Sequence, residues 1–138
     1  MIAIIKSDFN KEITDNLLRG CESQLQHLGK KYKTYTCPGA VETVGYSKFL
    51  IDRNLFDAII VIGAIIKGDT DHYEYVCQFV TNGISQLSAN SPIPIIFGIL
   101  TTQTEELAME RAALDRMNKG KEFADTAVFM NEAFSNFQ

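Results

Sequence analysis

Ala58-Ile59-Ile60-Val61-Ile62-Gly63 is an apolar run closed by a glycine, with no polar residue at alternate positions. A strand with one wet face alternates, so a run that is apolar on both faces belongs in the middle of a parallel sheet covered on both sides. Upstream, Val41, Val44, Phe49, Leu50 and Leu55 predict a helix. Pro38-Gly39 separates it from a weaker strand, Tyr32 to Thr36. Further back, Ile13, Leu17, Leu18, Cys21, Leu25 and Leu28 recur at helical spacing until Gly29, behind an opening strand over Ile2 to Ile5. Downstream, His72 to about Leu87 reads as a helix with Tyr73, Val76, Cys77, Val80 and Ile84 on its apolar side. Asn90 and Pro92 then lead to a strand over Ile95 to Ile99. Helices over Thr104 to Met117 and Lys121 to Phe134 follow, joined at Asn118-Lys119-Gly120, where glycine suits a sharp break.

This β-α-β-α-β-α-β-α-α order predicts an α/β fold, because each parallel connection must cross over the sheet right-handedly. It is a flavodoxin-like three-layer α/β/α sandwich, a parallel sheet of about four strands with helices on both faces. With 138 residues, 46% of them apolar, the chain is expected to form one domain, 1–138. The cysteines, Cys21, Cys37 and Cys77, form no C-x-x-C pair, which argues against zinc-ribbon and thioredoxin readings and for a reducing, cytoplasmic compartment. The balance of 13 basic against 17 acidic residues gives a phosphate backbone little to grip, so nucleic acid is not expected as a partner. No apolar stretch approaches a membrane span or a signal segment.

In doubly wound sheets ligands bind beyond the carboxyl ends of the strands, so the residues there are the candidates. The first strand leads to Phe9-Asn10 and the second to Ala40-Val41-Glu42. The third leads to Ala64-Ile65-Ile66-Lys67-Gly68-Asp69-Thr70-Asp71-His72, and the fourth carries Phe97. Gly63 to Thr70 nearly matches the phosphate-loop pattern, but Asp69 stands where that pattern needs lysine. Two readings of the turn stay open. Backbone N–H groups around Gly68 to Thr70 and the helix dipole would suit one small phosphate, while Asp71 and Glu74 are spaced as a capping box. His72, at the first turn of that helix, is either a surface histidine or a proton shuttle whose pKa the dipole would lower. Arg111 is a solvated residue or an anion clamp, and Lys119 a helix-end charge by default. His27 reads as solvated.

Taken in order, Phe9-Asn10, Pro38-Gly39-Ala40-Val41-Glu42, Gly63 through Glu74, Phe97-Gly98-Ile99-Leu100-Thr101-Thr102, Glu110-Arg111-Ala112 and Asn118-Lys119-Gly120 resemble the lumazine synthase family over nearly the whole chain. That resemblance implies a transferase of riboflavin biosynthesis. It would condense 5-amino-6-(D-ribitylamino)uracil with 3,4-dihydroxy-2-butanone 4-phosphate to give 6,7-dimethyl-8-ribityllumazine and phosphate. It also implies roles: Phe9 stacks on the pyrimidine, Asn10 and Ala40 to Glu42 hold the ribityl chain, and Ala64 to Ile66 read the uracil edge. Gly68, Asp69, Thr70 and Arg111 bind the butanone phosphate, His72 moves protons, and Lys119 sits near the uracil or phosphate. Phe97 comes from a neighbouring subunit of a homopentamer, so the site lies between subunits. The substrates supply the amine and carbonyl, so neither metal nor organic cofactor is implied.

Lys67, where many relatives carry arginine, the added charge of Asp71, and residues 113–117 depart from the family pattern and bear on phosphate affinity. The short segment before the first strand implies no N-terminal extension pairing with a neighbour, and leaves open whether pentamers build a sixty-subunit shell. The alternatives on the same scaffold are a non-catalytic lumazine- or flavin-binding module and a shell protein. A response-regulator-like domain would need a phosphoacceptor aspartate where Ile62-Gly63 stands.

Overall fold

The computed structural model describes residues 1–137. Its elements are β1 (Ile2–Ser7), α1 (Lys11–His27), β2 (Tyr32–Cys37), α2 (Ala40–Ile51), β3 (Ala58–Ile66), α3 (His72–Asn90), β4 (Ile95–Thr102), α4 (Glu105–Ala112) and α5 (Lys119–Ser135). The four strands lie in the order β2-β1-β3-β4, all parallel. Among the described residues no helix is long and apolar enough to cross a membrane.

Alternation of side chains across the two central strands creates two cores. Ile2 and Ile4 of β1 and Ile60 and Ile62 of β3 pack against Leu17, Leu25, Ala108 and Ala124 of α1, α4 and α5. Ala3, Ile5, Ile59 and Val61 point the other way, onto Leu50, Val80 and Ile84 of α2 and α3. Each fully buried isoleucine contributes about 1.5–3 kcal/mol through area removed from water. The apolar-on-both-faces run of β3 therefore serves both layers at once. From β1 the chain winds outward to β2, then returns past β1 to β3, which opens a crevice beyond the carboxyl ends of β1 and β3.

Four expectations are corrected. β3 does not end at Gly63: Gly63 pairs with Ile99 and Ile66 with Thr102, so the near phosphate-loop begins inside a strand. A Cβ on Gly63 would lie 2.8 Å from Ile99 Cδ1, so this glycine makes room within the sheet rather than a turn. Helix α2 stops at Ile51, because the chain turns through left-handed Asn54 (φ 57°), and Leu55 is exposed.

Helix α4 stops at Ala112 instead of continuing to Met117. Ala113 is extended (ψ 138°), and the Glu110 and Ala113 carbonyls accept from the Met117 and Asn118 N–H groups to close the turn. The buried stripe of α4 is consequently Ala108 and Ala112, with Leu107 and Leu114 exposed. Gly120, finally, does not break the chain. Asn118 supplies the left-handed residue (φ 47°), while Gly120 lies inside α5, where a Cβ would overlap the Leu17 carbonyl oxygen of α1. It is a close-approach glycine at the α1–α5 crossing.

Candidate active site

The segment after β1 is held at both ends. Asp8 N–H donates to the Cys37 carbonyl (2.8 Å) and Phe9 N–H to the Pro38 carbonyl (3.0 Å), tying it to the end of β2. Asn10 is left-handed (φ 59°), and its Nδ2 donates to the Ala64 carbonyl of β3 at 2.8 Å. Phe9, between these ties, keeps 69% of its surface exposed. A large aromatic this open has been placed by its backbone and not by packing.

Beside it, at the β1–β3 crevice and on the α2/α3 side of the sheet, lies a cavity of about 430 Å³. Phe9, Gly39 to Glu42, and Ala64 to Ile66 form one part of its wall. Gly68, Thr70, His72, Tyr73 and Val76 form the other. The size suits a small organic molecule. The N-termini of α2 and α3 both open here, and neither Gly39 nor Asp71 supplies a side-chain cap. The uncapped start of α2, and that of α3 beyond its first N–H, which Thr70 Oγ1 accepts, favour negative charge, while the Glu42 carboxylate opposes it along the Gly39–Glu42 wall.

The capping box expected of Asp71 and Glu74 is absent. Asp71 is helical (φ −72°, ψ −3°) without a cap bond, and Thr70 Oγ1 instead accepts the His72 N–H at 3.3 Å. His72 is the first residue of α3, exposed, on the cavity wall. Tyr73 and Val76, assigned from periodicity to the apolar side of α3, also line the cavity. Burial first, then its contact with the Cys77 thiol, holds the Tyr73 hydroxyl above its ordinary pKa, against a lowering hydrogen bond with Thr101. Val76 stands four residues after His72 and three after Tyr73, neighbouring positions on one helix surface, and that spacing is the signal that could have found them.

Other candidates lie elsewhere on this chain. Asp69 is not on the cavity wall, and Asn10 braces it from behind. Phe97, on edge strand β4, is 42% exposed beside Ile84 and Ser88 of α3, in a separate shallow groove. Arg111 lies in α4, its Nη1 donating to the Leu107 carbonyl (3.2 Å), and Lys119 starts α5, paired with Glu122 at 3.1 Å. Helices α4 and α5 cover the opposite face of the sheet. Among the described residues, therefore, no lysine or arginine lines the cavity.

Burial pushes the Cys21 thiol up to about 12 and the Cys37 thiol, helped by Glu42, to about 11, so neither is a nucleophile at neutral pH. His27 is exposed, as expected. Among the described residues no three His, Cys, Asp or Glu side chains group as a metal site.

The profile of the 6,7-dimethyl-8-ribityllumazine synthase family matches residues 1–135. The 6,7-dimethyl-8-ribityllumazine synthase of Coxiella burnetii (strain CbuG_Q212) is 45% identical over 132 residues, 94% of this chain and 87% of the relative. The protein of the same name from strain RSA 493 of that organism is equally similar. That of Bacteroides fragilis (strain YCH46) is 42% identical over 130 residues, 92% of this chain and 91% of the relative.

Proposed function

This chain belongs to the 6,7-dimethyl-8-ribityllumazine synthase family, and from that premise we propose how its own residues perform the family's reaction. 5-Amino-6-(D-ribitylamino)uracil and 3,4-dihydroxy-2-butanone 4-phosphate meet in the crevice cavity and leave as 6,7-dimethyl-8-ribityllumazine, phosphate and water. The observation that carries this reading is the division of one cavity wall into an aromatic-and-edge part, Phe9 with residues 40–42 and 64–66, and a helix-start part, Gly68 and Thr70 with His72.

Phe9 stacks on the pyrimidine, the Ala64 to Ile66 backbone meets the uracil edge, and Ala40, Val41 and Glu42 hold the ribityl hydroxyls. Asn10 acts from behind, fixing the Ala64 carbonyl. Gly68 and Thr70, with the Asp69 N–H and the α3 dipole, receive the phosphate. His72 takes the proton from the attacking amine and returns one to the departing oxygen. The substrates bring the amine and the carbonyl, so no cofactor enters the reaction.

A dianionic phosphate beside Glu42 needs a guanidinium, and Arg111, Lys119 and Phe97 stand away from the chain's own cavity. We assign them to the site of an adjacent copy in a homopentamer of cytoplasmic, single-domain chains. Two copies then complete each site, and orientation of two bound reactants supplies much of the acceleration.

Mixing the purified protein with both substrates tests the reading by lumazine appearance and phosphate release, beside a protein-free control, because amine and carbonyl also condense unaided. A protein-dependent, equimolar rise in both is expected. A rate equal to the control, with the lumazine still bound, would instead favour a binding module on the same scaffold. His72→Ala is expected to lower kcat by about tenfold with the KM for the phosphorylated substrate changed less than about threefold, since proton transfer is one contribution beside positioning. Steady-state kinetics on the variant checks this.

A further inference from the structure

Lys6 is the largest side chain in the fully buried set, 1% exposed, on the face of β1 where its neighbours two and four back are Ile4 and Ile2. Packing alone asks for a third aliphatic residue there, since a buried ion pair is seldom better for stability than a hydrophobic replacement. The ammonium instead reaches Asp8 Oδ1 at 2.9 Å and Asp15 Oδ1 of α1 at 2.5 Å. Lys11, on the surface, stands 3.4 Å from Asp15 and 4.0 Å from Asp8. The four charges sum to zero, so the buried ammonium is compensated in place.

Asp8 immediately precedes Phe9. The 8–10 segment has two backbone ties on the β2 side, Asp8 N–H to Cys37 and Phe9 N–H to Pro38, and one side-chain tie on the β3 side, through Asn10 and Ala64. The Phe9 ring, mostly exposed, contributes little to fixing its direction. The Lys6–Asp8 pair is the tie from beneath, joining this segment to the floor of the sheet and, through Asp15, to the first helix. Burial would push the Lys6 ammonium down in pKa. The hydrogen bonds the ammonium donates to Asp15 and Asp8 outweigh that and raise it, while Lys6 lowers both carboxyls. Each partner thus favours the charged form of the other.

We infer that Lys6 is a positioning residue for ring binding: acting through Asp8, it holds the 8–10 segment so that Phe9 stands as a preset stacking platform. The inference rests on the proposed reading, in which Phe9 meets the pyrimidine. It predicts a loss confined to the ring substrate, because the phosphate end of the cavity is built from a different segment.

The test uses the assembled protein and titration calorimetry with 6,7-dimethyl-8-ribityllumazine, and separately with inorganic phosphate. Asp8→Ala and Lys6→Met are expected to weaken lumazine binding roughly tenfold and phosphate binding less than about twofold, a misplaced platform costing affinity only where it is used. Asp8→Glu, which keeps a carboxylate within reach of the ammonium, recovers most of the loss. Asp15→Asn leaves Lys6 paired with Asp8, so it lowers the melting temperature with lumazine binding changed less than about twofold. If Lys6→Met does not fold, Asp8→Ala, at a half-exposed carboxylate, decides alone. Lumazine binding by Asp8→Ala equal to wild type, or an equal loss in Asp15→Asn, overturns the inference. Failure of the wild-type protein itself to bind the lumazine overturns the functional reading first, and this one with it.

Discussion

Arg111→Ala is expected to raise the KM for the phosphorylated substrate about a hundredfold, while the KM for the ring substrate stays within about threefold, because a charge-assisted bidentate contact to phosphate is worth roughly 3 kcal/mol. The size of the effect follows from what the cavity lacks. Two helix starts offer partial positive charge, but Glu42 stands on the same wall and, among the described residues, no lysine or arginine joins it. On the proposed reading, the Arg111 guanidinium of an adjacent copy makes the paired contact to the phosphate, while Lys119 brings one ammonium already paired with Glu122. Arg111→Lys should recover only part of the loss, since an ammonium cannot make the paired contact. Initial-rate kinetics with each substrate varied in turn separates this pattern from that of His72→Ala, which acts on kcat. Equal loss of phosphate-substrate affinity in both variants would contradict the two roles.

Gly120→Val is expected to destabilise the fold by about 3 kcal/mol or more, a large fraction of the 5–15 kcal/mol that holds a typical domain together. The first atom of any side chain at this position meets the Leu17 carbonyl, with Leu17 C at 2.9 Å and Cys21 N at 3.0 Å. These are backbone atoms of a helix and cannot swing aside. Nor can the helices separate cheaply, because Gly20 across the same crossing leaves room only for Asn118 and the Lys121 N–H. Gly45→Ala is the matching control. It lies within α2 with nothing near a new Cβ, so relief of backbone entropy should leave stability unchanged or raised by about 0.5–1 kcal/mol. Thermal and urea unfolding of the two variants distinguishes clash from propensity.

The architecture was legible because its signals are local and repeated. The apolar run at 58–62 required a strand wet on neither face, and the alternation around it required crossovers. Most of the cavity wall was legible for the same reason, being built from the residues that follow β1 and β2 and from the end of β3 with the turn after it. Tyr73 and Val76 were hidden because an apolar residue on a helix reads alike whether it faces a core or a cavity. The run past Gly63 was misread because a glycine that admits Ile99 into a sheet and one that opens a loop are the same letter. Gly120 was misjudged likewise: its partner, Leu17, lies about a hundred residues away, beyond any local pattern. Arg111, Lys119 and Phe97 were legible through the family resemblance alone. Their own chain sets them away from the cavity, and the contact proposed for them belongs to two copies.

A mixing experiment tests most directly whether two copies complete each site. Gly68→Trp adds bulk at a cavity residue where a Cβ meets no neighbour, so it should block the site without harming the fold. Arg111→Ala keeps an open cavity and lacks the guanidinium. Assayed alone at low phosphorylated substrate, each should be nearly inactive. Unfolded together in equal amounts and reassembled, they should regain about a quarter of wild-type lumazine synthesis, since half the cavities are open and half of their neighbours carry Arg111. A mixture no more active than its two parents averaged would contradict the shared site.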